Sequence, residues 1–347
     1  MNDRLLRTLN GDVPDQVPFL PAIYEHKGWF IGETPSRVAR DARLLTTALQ
    51  AEFEQVGADA LIVGVDIYNV EAEAMGCTVT YYEGNDNSVP AIGSNGAIVH
   101  TAGDLESLRT PDPYKDGRMP LNLEAARNTV KTLGREVPVR GAVSGPFSLA
   151  AHLSGPGNFF LLLMMQTELV KALLAFAAGV IKAYGKALIE QGCGIVMFDS
   201  HASPDLLPPD MYRDLVLPHT REIIEYFQTL GVQHVPLIIG GNTTKMLDSY
   251  LDTGANNLLC DVKADPQRFV EACSKTRRAF RRNIDLSDAG TTTPDEAHRR
   301  ALRDLEASGG YPGFILGTAV LPYGTPLSHL LAMKEAIREH SKSRGRG

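Results

Sequence analysis

Short apolar or β-branched runs alternate with helix-period segments along this whole chain, and few architectures accept that pattern. The candidate strands are residues 17–20, 60–65, 137–143, 194–198, 235–239, 257–260, 278–282 and 313–316. Between them lie helical patterns over 36–55, 121–133, 159–191, 209–230, 243–251, 266–274, 294–308 and 326–340. Several open on a proline or a Ser/Thr cap, as helix N-termini do. Eight strands alternating with eight helices within 347 residues predict a single (β/α)8 TIM barrel, an α/β fold. The seventh strand is the most polar, through Arg278, Arg281 and Arg282. No Gly-rich dinucleotide fingerprint follows the first strand, which disfavours a doubly wound open sheet.

Two features sit outside this rhythm. Val79-Thr-Tyr-Tyr82 and Ala97-Ile-Val-His100 flank a Gly/Asn/Asp-rich loop, which predicts a small β-hairpin inserted after the second strand. The basic tail over 341–347 reads as a frayed terminus, and the rest as one barrel domain spanning 1–347.

Composition narrows the function classes. A net charge of −7 argues against nucleic acid or an anionic membrane as the main partner. The first twenty residues carry Asp3, Arg4, Arg7, Asp12 and Asp15 with no apolar core. No secretory leader is expected there, and the cytoplasm is the expected compartment. The most hydrophobic stretch, 159–165, is too short to span a bilayer and predicts a buried helix. Cys77, Cys193, Cys260 and Cys273 show no metal-ligand spacing and no disulfide framework.

In such barrels chemistry gathers at the carboxyl ends of the strands. The first strand delivers Tyr24, Glu25, His26 and Lys27, and the second Asp66 and Tyr68. Ser144 follows the third, with His152 further on. The fourth ends in Asp199, Ser200 and His201, and the fifth in Gly241-Asn242-Thr243. Asp261 and Lys263 end the sixth, Asn283 and Asp285 the seventh, and Thr318 the eighth. Each acidic residue precedes a helix and could be an N-cap, but acidic residues recur at five ends. Carboxylates that close must separate their pKa values or share a cation. Asp66, His26 and His201 are the expected catalytic groups. Tyr24, Glu25, Lys27, Tyr68, His152, Asp199, Ser200, Asn242 and Asp261 are the expected substrate contacts. No ligand spacing stands out, so no metal is expected.

The run Gly141-Ala-Val-Ser-Gly-Pro-Phe-Ser-Leu149 resembles the third-strand segment of the uroporphyrinogen decarboxylase superfamily. So do Phe198-Asp-Ser-His-Ala-Ser203 with Leu217-Pro218, Gly241-Asn242-Thr243, and Ile315-Leu-Gly-Thr with Pro322 and Thr325-Pro326. The resemblance covers nearly the whole chain in order and implies the barrel, with a homodimer plausible. It places the decarboxylases' catalytic aspartate on Asp66 and a substrate-contacting serine on Ser200. Their tyrosine after the third strand falls on His152, and their final-strand histidine on Thr318. Their arginine-rich loop is replaced by Ile23-Tyr-Glu-His-Lys-Gly28. A charge pair at about 4 Å is worth roughly 4 kcal/mol at an effective dielectric near 20, so losing several weakens the grip on a polycarboxylate.

The superfamily's other branch comprises corrinoid-dependent methyltransferases, and Asn69-Val-Glu-Ala-Glu-Ala-Met-Gly76 resembles that branch's second-strand loop. Its zinc ligands, a His-x-Cys pair and a later cysteine, fall here on Ile238, Gly240 and about Ala319. The expected function is therefore methyl transfer between a small substrate and a corrinoid, without the usual zinc–thiolate site. No cofactor is expected to bind tightly. The corrinoid would ride on a separate protein, because the Asp-x-His-x-x-Gly cobalamin motif is absent. A cofactor-free decarboxylase acting on a smaller acid, with Lys27 and Lys263 as carboxylate partners, is the alternative. A non-catalytic binding protein is a further one.

Overall fold

The computed structural model describes residues 3–288 and 290–344. Eight parallel strands form its central sheet: β1 (Phe19–Ala22), β2 (Leu61–Val63), β3 (Val139–Ser144), β4 (Gly194–Phe198), β5 (Pro236–Ile238), β6 (Asn257–Cys260), β7 (Ala279–Ile284) and β8 (Phe314–Val320). The ladder runs β1-β8-β7-β6-β5-β4-β3-β2, so from β2 to β8 each strand pairs with its chain neighbour and β8 returns to β1. This is the expected (β/α)8 barrel.

The seam between β2 and β1 has no regular ladder. Side chains close it. The Asp59 amide donates to the Phe19 carbonyl at 3.0 Å, and the Phe19 amide donates to the Asp59 carboxylate at 2.7 Å. Higher up, the fully buried Lys27 ammonium donates to the Ile62 and Gly64 carbonyls at 3.0 and 2.6 Å.

Strand alternation fills the barrel in layers. Leu20, Ala60, Ala279 and Ile315 pack in one cluster with Leu5 and Leu9 of the helix Arg4–Asn10, which covers the amino-terminal end. Ala22, Ala142, Val196, Phe198, Ile238 and Leu259 form a second cluster, joined by Tyr24 and Ile67. The long helix Thr167–Glu190 meets the length and apolarity of a membrane span. It instead lays Leu169, Leu173, Val180, Ile181 and Leu188 into the core of the protein.

Three expectations are corrected. The segment Ala97–His100 is not a strand: Val79–Thr80 pairs with Ala91–Ile92. The Ile98 and Val99 amides donate instead to the Leu153 carbonyl at the end of the helix Pro146–Ser154. The hydrophobic stretch forms the helix Pro156–Met165, which buries Phe159, Leu162 and Leu163 but leaves Leu161, Met164 and Met165 exposed. The last helix continues through Arg344, so the supposed tail is helical over its first residues; residues 345–347 lie outside the described range.

Candidate active site

A cavity of about 400 Å³ opens at the carboxyl face of the barrel. Its apolar floor is made by Ala22, Ile67, Phe198, Ile238 and Leu259. The polar lining comes from Tyr24 and Glu25 after β1, Asp66 and Tyr68 after β2, Ser200 after β4, Asp261 after β6, and Arg281 with Asn283 on β7. Tyr24, Glu25, Asp66, Tyr68, Ser200 and Asp261 were all expected here.

Three rings meet in this wall. Tyr24 stands edge-on to Phe198 at 5.5 Å between centroids, and Tyr68 does the same at 6.1 Å. The Tyr68 and Ser200 hydroxyls hydrogen-bond. Burial raises the pKa of both tyrosines, so both remain protonated donors. Glu25 is partly buried, which moves its carboxyl upward. Asp261 accepts from the Gly241 amide at 2.9 Å and the Asn283 side-chain amide at 3.0 Å. Gly241 makes that contact in a left-handed turn (φ 81°), where a Cβ would also strike the Ser203 hydroxyl.

Arg281 is the residue that sequence reasoning missed as a site member. Its polarity made β7 look unsuitable as a central strand, yet all six residues of β7 are buried. Alternation separates the two arginines. Arg282 points outward to Asp304 at 2.8 Å and to the Asp261 carbonyl at 2.7 Å, while Arg281 points into the cavity. Gly317 on β8 makes room for it, since a Cβ there would lie 2.8 Å from the Arg281 side-chain Cδ.

Asp66 is tied down. Arg118, just before the helix Met119–Leu133, grips both its oxygens at 2.8 and 2.7 Å, and the Asn69 amide adds a third contact at 3.0 Å. Arg118 also pairs with Glu73. Asp66 therefore lines the cavity as one half of a buried ion pair.

The remaining expected residues lie outside the cavity lining. Lys27 is consumed by the barrel seam. His26 is buried edge-on to Phe30 at 5.0 Å, and burial lowers its pKa to about 4. His152 and His201 pack edge-on at 5.1 Å, with His152 beside Tyr68. Burial lowers both, His152 to about 3, so neither is charged near neutrality. Asn242 follows the glycine that orients Asp261 but does not itself line the cavity. Lys263 is exposed and pairs with Asp205.

Asp199 is turned away from the cavity and takes the capping role. It is fully buried and accepts from the Ser148 amide at 2.6 Å, in the first turn of the helix Pro146–Ser154. Its second oxygen has no partner, and burial raises its pKa from 3.8 to about 6. A folded-state pKa above the unfolded one means the folded protein binds more protons between those values. Its contribution to stability therefore falls as pH rises through that window and stays reduced above it. Asp199→Asn keeps an accepting oxygen and removes this dependence. Relative to the parent, the variant is expected to gain up to about 3 kcal/mol between pH 4 and pH 8. Chemical denaturation at both pH values checks this; a pH-independent difference would rule it out.

The chain's residues 1–340 match the model of the family described as uroporphyrinogen decarboxylase (URO-D). A methylcobamide:CoM methyltransferase MtbA from Methanosarcina mazei is 33% identical over 86% of this chain and 85% of that protein. A uroporphyrinogen decarboxylase from Salinibacter ruber is 28% identical over 98% of this chain and 96% of its own. The solved structure of a methyltransferase from Methanosarcina mazei superposes with a TM-score of 0.84 at 25% identity, covering 97% of this chain and 98% of that one. A polar-lined cavity at the carboxyl face of a (β/α)8 barrel marks the molecule as a barrel enzyme. The chain belongs to the uroporphyrinogen decarboxylase (URO-D) family.

Ile238, Gly240 and Ala319, at or about the positions where the resemblance places the methyltransferase branch's zinc ligands, all line the cavity, and none carries a side-chain donor. Among the described residues no three His, Cys, Asp or Glu side chains converge to hold a metal ion. These residues do not fit a zinc–thiolate centre.

Proposed function

We propose that this protein passes a methyl group between a small substrate, held in the cavity, and a corrinoid carried by a separate protein. The observation that carries this reading is the cavity itself. It is small, apolar-floored and open on the barrel's carboxyl face, at the level where the methyltransferase branch does its chemistry. The resemblance to the methylcobamide:CoM methyltransferase supports the same branch. A corrinoid supplies, when bound, the cobalt centre that exchanges methyl groups with the substrate. The same barrel face suits its approach: Val320 is half exposed, and Trp29 packs edge-on to Tyr323 at 5.7 Å with about half its surface in solvent. The apolar floor excludes water from the bound substrate. The hydrogen-bonded hydroxyl pair of Tyr68 and Ser200 leaves one O–H to donate along one wall, and Asp66 stays fixed by Arg118.

A second reading, cofactor-free decarboxylation of a small acid, rests on Arg281. One cation in the lining suits a single carboxylate and not a polycarboxylate. The deciding experiment incubates the purified protein with reduced cobalamin and a panel of methylated amines, alcohols and acids. A change in the corrinoid's visible spectrum, with release of the demethylated product, is expected. Release of carbon dioxide without any corrinoid would overturn methyl transfer in favour of decarboxylation.

A further inference from the structure

The cavity holds charge of both signs that the protein itself leaves unmatched. The cation is Arg281, on β7, with only 3% of its surface exposed. Its Nε has no hydrogen-bond partner, it forms no ion pair among the described residues, and its polar neighbour is the Tyr24 hydroxyl. Arg140, another buried arginine of the barrel, repels it and adds to the positive potential. A buried guanidinium without an anion is costly, and its planar fork matches a carboxylate. The anions are Glu25, after β1, which forms no ion pair among the described residues, and Asp261, at the end of the neighbouring strand β6, whose oxygens accept from neutral N–H donors. The rings of Tyr24, Tyr68 and Phe198 line the same cavity.

From this arrangement we infer that the substrate is a small zwitterion, an amino acid methylated at nitrogen to a tertiary or quaternary ammonium. Its carboxylate pairs with Arg281, and its methylated nitrogen sits among the three rings within the field of Glu25. A methylated ammonium keeps few or no N–H donors and is weakly hydrated. Aromatic rings and a nearby carboxylate attract it without demanding hydrogen bonds. The inference rests on the small-substrate methyl-transfer reading and also fits the chemistry around the site. When a quaternary ammonium gives up a methyl group, the C–N electron pair stays on nitrogen as a neutral amine. No proton has to be delivered, and the corrinoid of that reading takes the methyl group. The site matches this: His26, His152 and His201 lie outside the cavity lining, and burial lowers the pKa of all three.

The test is calorimetric titration of the full chain, with no corrinoid present, using three probes of nearly equal shape. N,N,N-trimethylglycine carries both charges, choline lacks the carboxylate, and 3,3-dimethylbutyrate replaces the ammonium with a neutral carbon. Trimethylglycine is expected to bind at least tenfold more tightly than either analogue. Arg281→Gln should remove that preference over choline, and Glu25→Gln the preference over 3,3-dimethylbutyrate, with thermal melts confirming that both variants fold. Equal binding of choline would overturn the Arg281 anchor, and equal binding of 3,3-dimethylbutyrate the cation subsite. No binding of trimethylglycine would overturn the whole inference. The wild-type comparisons decide it even if a variant does not fold. Because corrinoid is absent, trimethylglycine binding without later methyl transfer would sink the proposed reaction and leave the substrate class standing.

Discussion

Replacing Arg118 with methionine is expected to destabilise the protein by about 3–5 kcal/mol, the usual cost of removing one partner from a buried ion pair. Methionine keeps most of the aliphatic stem, so the loss is electrostatic and not a packing defect. Asp66 is 5% exposed and would be left with the Asn69 amide as its side-chain partner. The Ala39 carbonyl, which accepts from Arg118 at 3.2 Å, would lose that donor as well. Adding Asp66→Asn to Arg118→Met removes the stranded charge, and the double variant should recover more than half of the loss. Chemical denaturation of the parent, both single variants and the double variant gives the coupling directly. Additive single effects would mean that the pair contributes nothing. The same variants separate structure from chemistry at Asp66. If Asp66 acts on the substrate, the double variant stays inactive after its stability returns; if it only anchors the loop, activity returns too.

The barrel was legible because buried parallel strands carry their apolar runs in short, continuous blocks. Residues 194–198 and 257–260 were read from the sequence with the bounds they have in the fold. Elements whose identity depends on distant partners were not legible. Nothing in the local pattern of 97–100 distinguishes a hairpin strand from a segment that answers the carbonyl of Leu153. The period over 159–191 suggested one helix, where the chain breaks at Gln166, whose φ of −142° is not helical. The site divides the same way. Tyr24, Asp66, Tyr68, Ser200 and Asp261 were found because they sit at strand ends, where the barrel must place them. Arg118 was missed because it lies 52 residues from Asp66, just ahead of a helix with no strand-end position. Arg281 was visible but counted against its strand, since polarity inside a barrel is informative only once the inward face is known. Lys27 and Asp199 stood at the expected ends and proved to be structural. A strand-end position specifies the neighbourhood of a side chain and leaves open whether it faces the cavity, the seam or a helix terminus.

Lys27→Met is expected to be at least as damaging as Arg118→Met, and for a different reason. Lys27 stands where β1 and β2 lack a ladder, and its ammonium replaces the missing amide donors by satisfying the carbonyls of Ile62 in β2 and of Gly64 just past its end. Its other neighbour is the Glu52 carboxylate at 4.0 Å. Burial holds the Glu52 pKa up at about 7, against the pull of the Lys27 charge in the opposite direction. The substitution therefore leaves two carbonyls without a donor, at about 1–3 kcal/mol each, and takes the counter-charge from a buried carboxyl. Glu52 would respond by staying protonated to higher pH, which limits its share of the loss; the carbonyls have no such escape. Adding Glu52→Gln should therefore return only part of the stability. Tyr24 and Glu25 precede Lys27 by three and two residues and line the cavity, so opening the seam should weaken ligand binding along with the fold. Denaturation midpoints for Lys27→Met and for Lys27→Met with Glu52→Gln measure the two contributions. A single variant within about 1 kcal/mol of the parent would show that the barrel closes without the ammonium. Full recovery in the double variant would assign the whole effect to Glu52 and none to the seam.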